Sequence, residues 1–155
     1  MAETQRLSQA ALDRLVAEHH DLTTRGRIEI ADKIEEARAL GDLSENGDYH
    51  AAKEEQGKME ARIRQLVSII ENAEVVTADD NGTVIHGAVI EVRYEGDSST
   101  EKLLFGSIEE RRAGLEIVSP GSPLGQALEG HRAGETVSYE APGGTLEVEI
   151  VSVEI

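Results

Sequence analysis

Leu40-Gly41-Asp42-Leu43-Ser44-Glu45-Asn46-Gly47-Asp48-Tyr49 carries three carboxylates and two glycines between two segments that both read as long helices. The stretch reads as the tip of a helical hairpin. Two helices of about 30 residues would hold that tip about 45 Å from their base, since an α-helix rises about 1.5 Å per residue. Acidic groups at the end of such a lever suit delivery of charge into a deep site.

Two readings compete for Asp42 and Glu45. An Asp at the N-cap with Glu three residues on matches the reciprocal box that serves the first orphan N–H groups of a helix. The same spacing is a paired-carboxylate site for a hard divalent cation, because Mg²⁺ takes oxygen ligands and often uses only one or two carboxylates beside water.

Working outward, Ser8 is placed to cap a helix running to about Leu40, with Leu12, Leu15, His19, Leu22, Gly26, Ile30, Ile34 and Ala37 spaced by three or four. The spacing drifts between Thr23 and Ile28, an irregularity of the kind that locally changes supercoiling. The second helix has the cleaner pattern. Tyr49, Ala52, Gln56, Met59, Ile63, Leu66, Ile70 and Ala73 alternate steps of three and four, the a/d seam of an antiparallel coiled-coil hairpin. Lys58, Arg62 and Arg64 interleave with Glu54, Glu55 and Glu60 as a solvated, ion-paired face. Arg38 and Lys53 lie within about three turns of the tip, where they could meet a phosphate backbone.

With 155 residues the chain has room for one domain or two small ones. Phe105 is its one phenylalanine, and Trp and Cys are absent, so the core falls to Leu, Ile, Val and Ala. No thiolate metal site, cysteine nucleophile or disulfide scaffold is open to it. The N-terminus has no apolar leader and no run reaches the length of a membrane span, so a soluble, cytoplasmic protein is expected. A net charge of −16 argues against free binding to a nucleic-acid backbone, which rests on counterion release by clustered cations. The charge is uneven: residues 1–77 hold 10 basic and 16 acidic groups, residues 78–155 hold 5 and 15.

Helical periodicity stops before Asp79-Asp80-Asn81-Gly82, which places a domain boundary at 77/78. Beyond it, strands are predicted over 88–94, 102–105, 115–118, 136–140 and 146–153, several alternating apolar with charged residues as an antiparallel sheet with one wet face should. Ser122 at N-cap, Pro123 at N1 and Gly130 past the end predict one short helix that packs Leu124 and Leu128 on the sheet. The expected class is α+β. No HExxH, phosphate-binding glycine loop or placed Ser-His-Asp motif is present. His19, His20, His50, His86 and His131 lack ligand spacing and read as surface or packing residues.

Residues 36–57, EARALGDLSENGDYHAAKEEQG, resemble the tip motif of the bacterial Gre family of transcript cleavage factors. SPLGQALEG at 122–130 with APGG at 141–144 is similar to that family's C-terminal signature. The likeness runs through nearly the whole chain in order. It implies an FKBP-like second domain without expected prolyl isomerase activity, docked at the rim of the secondary channel of bacterial RNA polymerase, and a coiled coil that enters the channel. It implies that Asp42 and Glu45 match the two tip carboxylates that help hold a second Mg²⁺, shared with the polymerase, and promote hydrolysis of backtracked RNA at its 3′ end.

By the same resemblance Arg38 and Lys53 match basic positions facing the extruded RNA, and Ser122 and Pro123 fall on the loop expected to face the polymerase. The chain would then be an accessory factor rather than a complete enzyme, and a monomer, because an internal hairpin satisfies its own seam. Gly47-Asp48 stands where many members have Ala-Glu, a departure that points to a more flexible tip. Relatives with the same two domains can instead occupy the channel as non-catalytic inhibitors, and retention of both carboxylates favours the stimulator. Without the resemblance, a plain coiled-coil interaction protein whose tip acids only cap a helix remains open.

Overall fold

Residues 4–41, 46–76 and 82–154 are described by the structure, a computed structural model of the chain. They form two compact units, one built on Asp13–Asn72 and the other on Gln5–Leu12 together with Ala73–Ile155. The predicted boundary at 77/78 and its turn cluster at 79–81 lie outside the described residues. The second unit also takes Gln5–Leu12, a stretch on the hairpin side of the predicted boundary.

In the first unit the leading leg is α1 (Gln9–Asp21), a π-helical turn (Leu22–Gly26) and α2 (Arg27–Arg38), and the returning leg is α3 (Gly47–Glu71). The legs are antiparallel. Ion pairs join Glu18 to Arg62, Arg27 to Glu60 and Lys33 to Glu55, so residue number falls on one leg as it rises on the other. Every predicted seam residue of α3 from Tyr49 to Ile70 is buried or half-buried, and Leu66 is fully enclosed. Apolar burial against the facing leg, at about 25 cal/mol per Å², does most of the holding, since exposed ion pairs add at most about 1 kcal/mol each.

One helix from a Ser8 cap to about Leu40 was expected, with an irregularity over Thr23–Ile28, and the structure has its π-helical turn at Leu22–Gly26. The cause is local: Thr23 and Thr24 turn their hydroxyls back onto the carbonyls of His19 and His20, each at 2.7 Å, and Arg27 N–H reaches back five residues to Leu22. Hydroxyls that donate to the preceding turn compete with the regular ladder and bend it. Arg25 then braces the turn from both sides, bonding Asp21 and Glu29, and it holds the Asp21 carboxyl below the usual carboxylate range.

The second unit is a five-stranded sheet in the order β5-β4-β3-β7-β6, with β3 (Val89–Tyr94), β4 (Glu101–Phe105), β5 (Glu116–Val118), β6 (Thr136–Ala141) and β7 (Gly144–Glu154). Each strand lies within two residues of its sequence prediction. The sheet is mixed rather than antiparallel throughout, because β5 runs parallel to β4. A parallel partner needs a crossover instead of a hairpin. The nine residues from Gly106 to Gly114, with Leu115, supply it through a 3₁₀ turn at Ile108–Glu110. The register of β3 on β7 slips between Glu91 and Val92, leaving Val151 as the extra residue of a bulge. A two-stranded parallel pair, β1 (Gln5–Leu7) with β2 (Ala73–Val75), was not anticipated.

The core of this unit is Ile90, Val92, Leu103, Phe105, Leu128, Val148, Ile150 and their neighbours. The short helix α4 (Pro123–Leu128) seats Leu128 in it and Leu124 half-buried against it, as its capping sequence predicted. No helix among the described residues is long and apolar enough to cross a membrane.

Candidate functional site at the hairpin neck

Helix α2 ends at Arg38 and α3 begins at Gly47, so the acidic stretch lies between two helix ends whose geometry is fixed. Asn46 fixes both. Its Oδ1 accepts from Tyr49 N–H at 3.1 Å, the N-cap bond of α3, and its Nδ2 donates to the Ala37 carbonyl at 2.5 Å. Ala37 O also receives Leu40 N–H at 3.2 Å, and Gly41, at φ +125°, then turns the chain away from α2.

The N-cap is therefore Asn46 and not Asp42, which corrects the capping reading of the tip. Asp42-x-x-Glu45 imitates a capping box, but α3 starts after it has ended, and the residue three beyond the true cap is Tyr49. Asp42 and Glu45 themselves lie outside the described residues. The N-cap bond of α3 is supplied by Asn46.

Arg38 is the last residue of α2 and exposed, with no ion pair among the described residues. Lys53 is exposed one to two turns into α3, its Nζ bonded to Gln56 Oε1 at 2.9 Å. The two are not brought into contact with each other. A groove beside the neck, of about 430 Å³, is lined instead by Lys33, Glu36, Asp48 and Glu55 around Ala37 and Ala52, a mixed-charge surface. Sequence spacing had not marked it.

In the second unit, Ser122 and Pro123 open α4. Ser122 Oγ accepts from Gly125 N–H at 3.1 Å and donates to the Ser119 carbonyl at 2.8 Å, so both roles of the hydroxyl are taken within the loop. Gly125 is obligatory here, since a Cβ would stand 1.9 Å from Ser119 O. Pro123 is exposed. The pair thus shapes the surface rather than offering a free polar group.

The histidines are dispersed: His50 meets Tyr49 edge-on at 5.7 Å, His131 pairs with Glu135 at 3.1 Å, and His86 packs edge-on to Phe105 at 5.5 Å. Sequence reasoning missed Glu110, which is 1 % exposed. Its carboxylate accepts from the N–H of Ser8 at 3.0 Å and from the Ser8 hydroxyl, while Ser8 Oγ caps α1 through Ala11 N–H at 3.1 Å. Gly87, at φ +92°, lets the chain pass, since a Cβ there would stand 2.7 Å from Ser8 Cβ.

Comparison with known proteins accounts for both halves. The family described as "Transcription elongation factor, N-terminal" matches residues 5–75, and "Transcription elongation factor, GreA/GreB, C-term" matches 79–155. Transcription elongation factor GreA of Saccharopolyspora erythraea is 49% identical, covering 99% of this chain and 98% of that protein. GreA of Mycobacterium tuberculosis is 46% identical over 96% of this chain and 93% of its own. Among solved structures, the GreA factor homolog 1 protein of Thermus thermophilus is 25% identical, covering 99% of this chain and 100% of that one with a TM-score of 0.45. With a helical hairpin and a curled sheet domain each matched by its own half of the family, this chain belongs to the GreA/GreB transcription elongation factors.

Proposed function

We propose that the chain binds bacterial RNA polymerase through its secondary channel and stimulates Mg²⁺-dependent cleavage of backtracked nascent RNA at the 3′ end. The observation that carries this reading is the Asn46 cap. It supplies the N-cap bond of α3 from outside the Asp42–Glu45 stretch, so neither carboxylate is needed for that bond.

The donor set suits the group. Asp42 and Glu45 offer hard oxygen donors, few enough to leave most of a Mg²⁺ coordination sphere to water and to a second protein. When bound, Mg²⁺ supplies charge neutralisation and Lewis-acid polarisation for an in-line displacement at phosphorus. Asp42 serves as ligand, and Glu45 as ligand or as the group that orients the attacking water. Arg38 and Lys53, exposed on the two legs next to the tip, offset phosphate charge on the extruded RNA. Ser122 and Pro123 belong to the polymerase-facing loop.

Stalled, backtracked elongation complexes incubated with Mg²⁺ test the proposal. The wild-type chain is expected to release short 3′ RNA fragments, and Asp42→Ala or Glu45→Ala to abolish that release while polymerase binding persists. Slowed synthesis and slowed intrinsic cleavage, with no fragments, would instead identify a channel inhibitor.

A further inference from the structure

Sulfur chemistry in this chain comes down to two side chains. It has no cysteine and two methionines, Met1 and Met59, and Met59 sits on the α3 seam. A seam methionine is ordinarily soft, adaptable packing. Two features of its surroundings set Met59 apart. Its Sδ lies against Gly26 in the π-helical turn, so close that a Cβ on that glycine would stand 3.2 Å from the sulfur. The side chain is also unsealed: Met59 is half-buried and lines an open groove of about 490 Å³ together with Leu22, Gly26 and Ile30. Further along the same seam Ile63 and Leu66 are 5 % and 0 % exposed, so the seam opens where the sulfur is.

The cations around this groove are already engaged. Arg25 bonds Asp21 and Glu29, Lys33 bonds Glu55, Lys58 bonds Glu54, and Arg62 bonds Glu18. An oxygen added to the sulfur would enter between an apolar seam and four cations that each hold a carboxylate. It would have to compete with a charged acceptor for every one of those donors, and a polar atom placed among apolar neighbours without a hydrogen bond is destabilising.

We propose that Met59 is a reversible oxidation site through which peroxide loosens the middle of the hairpin. In the forward step a sulfur lone pair attacks one oxygen of hydrogen peroxide. The S–O bond forms as the O–O bond breaks, sulfur gives up two electrons, and the departing hydroxide takes the proton of the transferred oxygen to leave as water. The sulfoxide is polar and bulkier than the thioether, and Gly26 leaves it no room on the side of the π turn. Either the oxygen turns into the groove and carries the end of the side chain with it, or the two legs part, and both remove apolar contact from the seam. In the reverse step a dithiol, used by a methionine sulfoxide reductase, is oxidised to a disulfide while the sulfoxide oxygen leaves as water.

The full chain alone suffices for the test, which therefore stands apart from the proposed action on polymerase. The folded protein is treated with hydrogen peroxide, and peptide mass mapping follows the gain of one oxygen at Met59 against free methionine in the same vessel. Oxidation within about tenfold of the free amino acid is expected of a thioether at an open groove. Urea unfolding, followed by the helix signal, is then run on reduced, oxidised and reductase-treated protein, and on Met59→Leu after the same peroxide treatment. The oxidised wild type should unfold at a midpoint lower by about 0.5 M or more, reductases of both epimer specificities with dithiothreitol should restore it, and Met59→Leu, close in volume, should not respond to peroxide. Slower oxidation than that, an oxidised midpoint equal to the reduced one, or a drop that the reductases leave in place overturns the proposal. An equal drop in Met59→Leu also overturns it, by placing the damage at another residue.

Discussion

Asn46 joins the two legs of the hairpin through the Ala37 carbonyl, 2.5 Å from its Nδ2, while its Oδ1 caps α3 at Tyr49. One amide side chain therefore ties the start of α3 to the end of α2, and Ala37, 4 % exposed, is held against α3 by it. Asn46→Ala loses an N-cap, about 0.5–2 kcal/mol, and leaves the buried Ala37 carbonyl one partner short, so a total of about 1–3 kcal/mol is expected. Asn46→Asp keeps the cap but has no donor for Ala37 and should fall between. Helix-monitored urea unfolding of the three proteins measures the order, and cleavage yield should fall in parallel.

The same division of labour predicts what the tip carboxylates do not do. Since Asn46 holds the cap, Asp42→Ala and Glu45→Ala should each shift stability by no more than about 0.5 kcal/mol, the range of surface changes away from special features. A loss of 1 kcal/mol or more, in the same urea experiment, would return the tip acids to a structural role.

The failure to recognise Asn46 in the sequence has a physical cause. Asp42 and Asn46 are equally competent caps by residue type, and Asp42 carries the Glu three residues on that usually decides the matter. By contrast the α3 seam and all five main strands were legible, because burial on one face imposes a period of 3.5 or 2 that no other arrangement of residues imitates. Glu110 was illegible for the opposite reason. It sits in Glu109-Glu110-Arg111-Arg112, four charges that read as solvated surface, and only a partner 102 residues away makes the second of them a core residue. The β1–β2 pair, three residues on each side, also depends on distant pairing alone. The loop at Ser122 was visible as a capped turn, but the crossover between β4 and β5 was not, because it belongs to a parallel pairing that an antiparallel reading omits.

Ser8 and Glu110 should behave as one unit under mutation. Ser8→Ala removes the α1 cap and one of the two donors to a buried carboxylate that also favours the positive end of α1, for an expected cost of about 2–4 kcal/mol. Glu110→Ala leaves Ser8 N–H without an acceptor and should cost a similar amount. Because each change breaks the same contact, the double variant should be less destabilised than the two losses added together, and a double-mutant cycle by denaturant unfolding reads the difference. Strict additivity would mean that the two residues stabilise the unit independently.

Glu101 on β4 and Glu116 on β5 place two carboxyls together at the edge of the sheet. Burial first, and then the hydrogen bond and charge of Glu116, push the Glu101 carboxyl above the usual carboxylate range. The native state therefore holds this proton more tightly than the unfolded chain does. The sign follows from that difference: the stabilising contribution is complete below the ordinary carboxylate range and is lost as pH rises through the folded value. At neutral pH the pair is a repulsive diagonal contact on neighbouring strands, weakened by solvent because both residues are exposed. Glu101→Gln should accordingly stabilise the protein at pH 7 by about 0.2–0.5 kcal/mol, at the low end of cross-strand pair energies. Thermal melts taken from about pH 8 down to about pH 3, where carboxyls are protonated in both states, should show that advantage shrinking to nothing, and added salt should shrink it at pH 7. An advantage that stays constant across the range would mean that glutamine improves packing at the edge and that the two carboxyls do not interact.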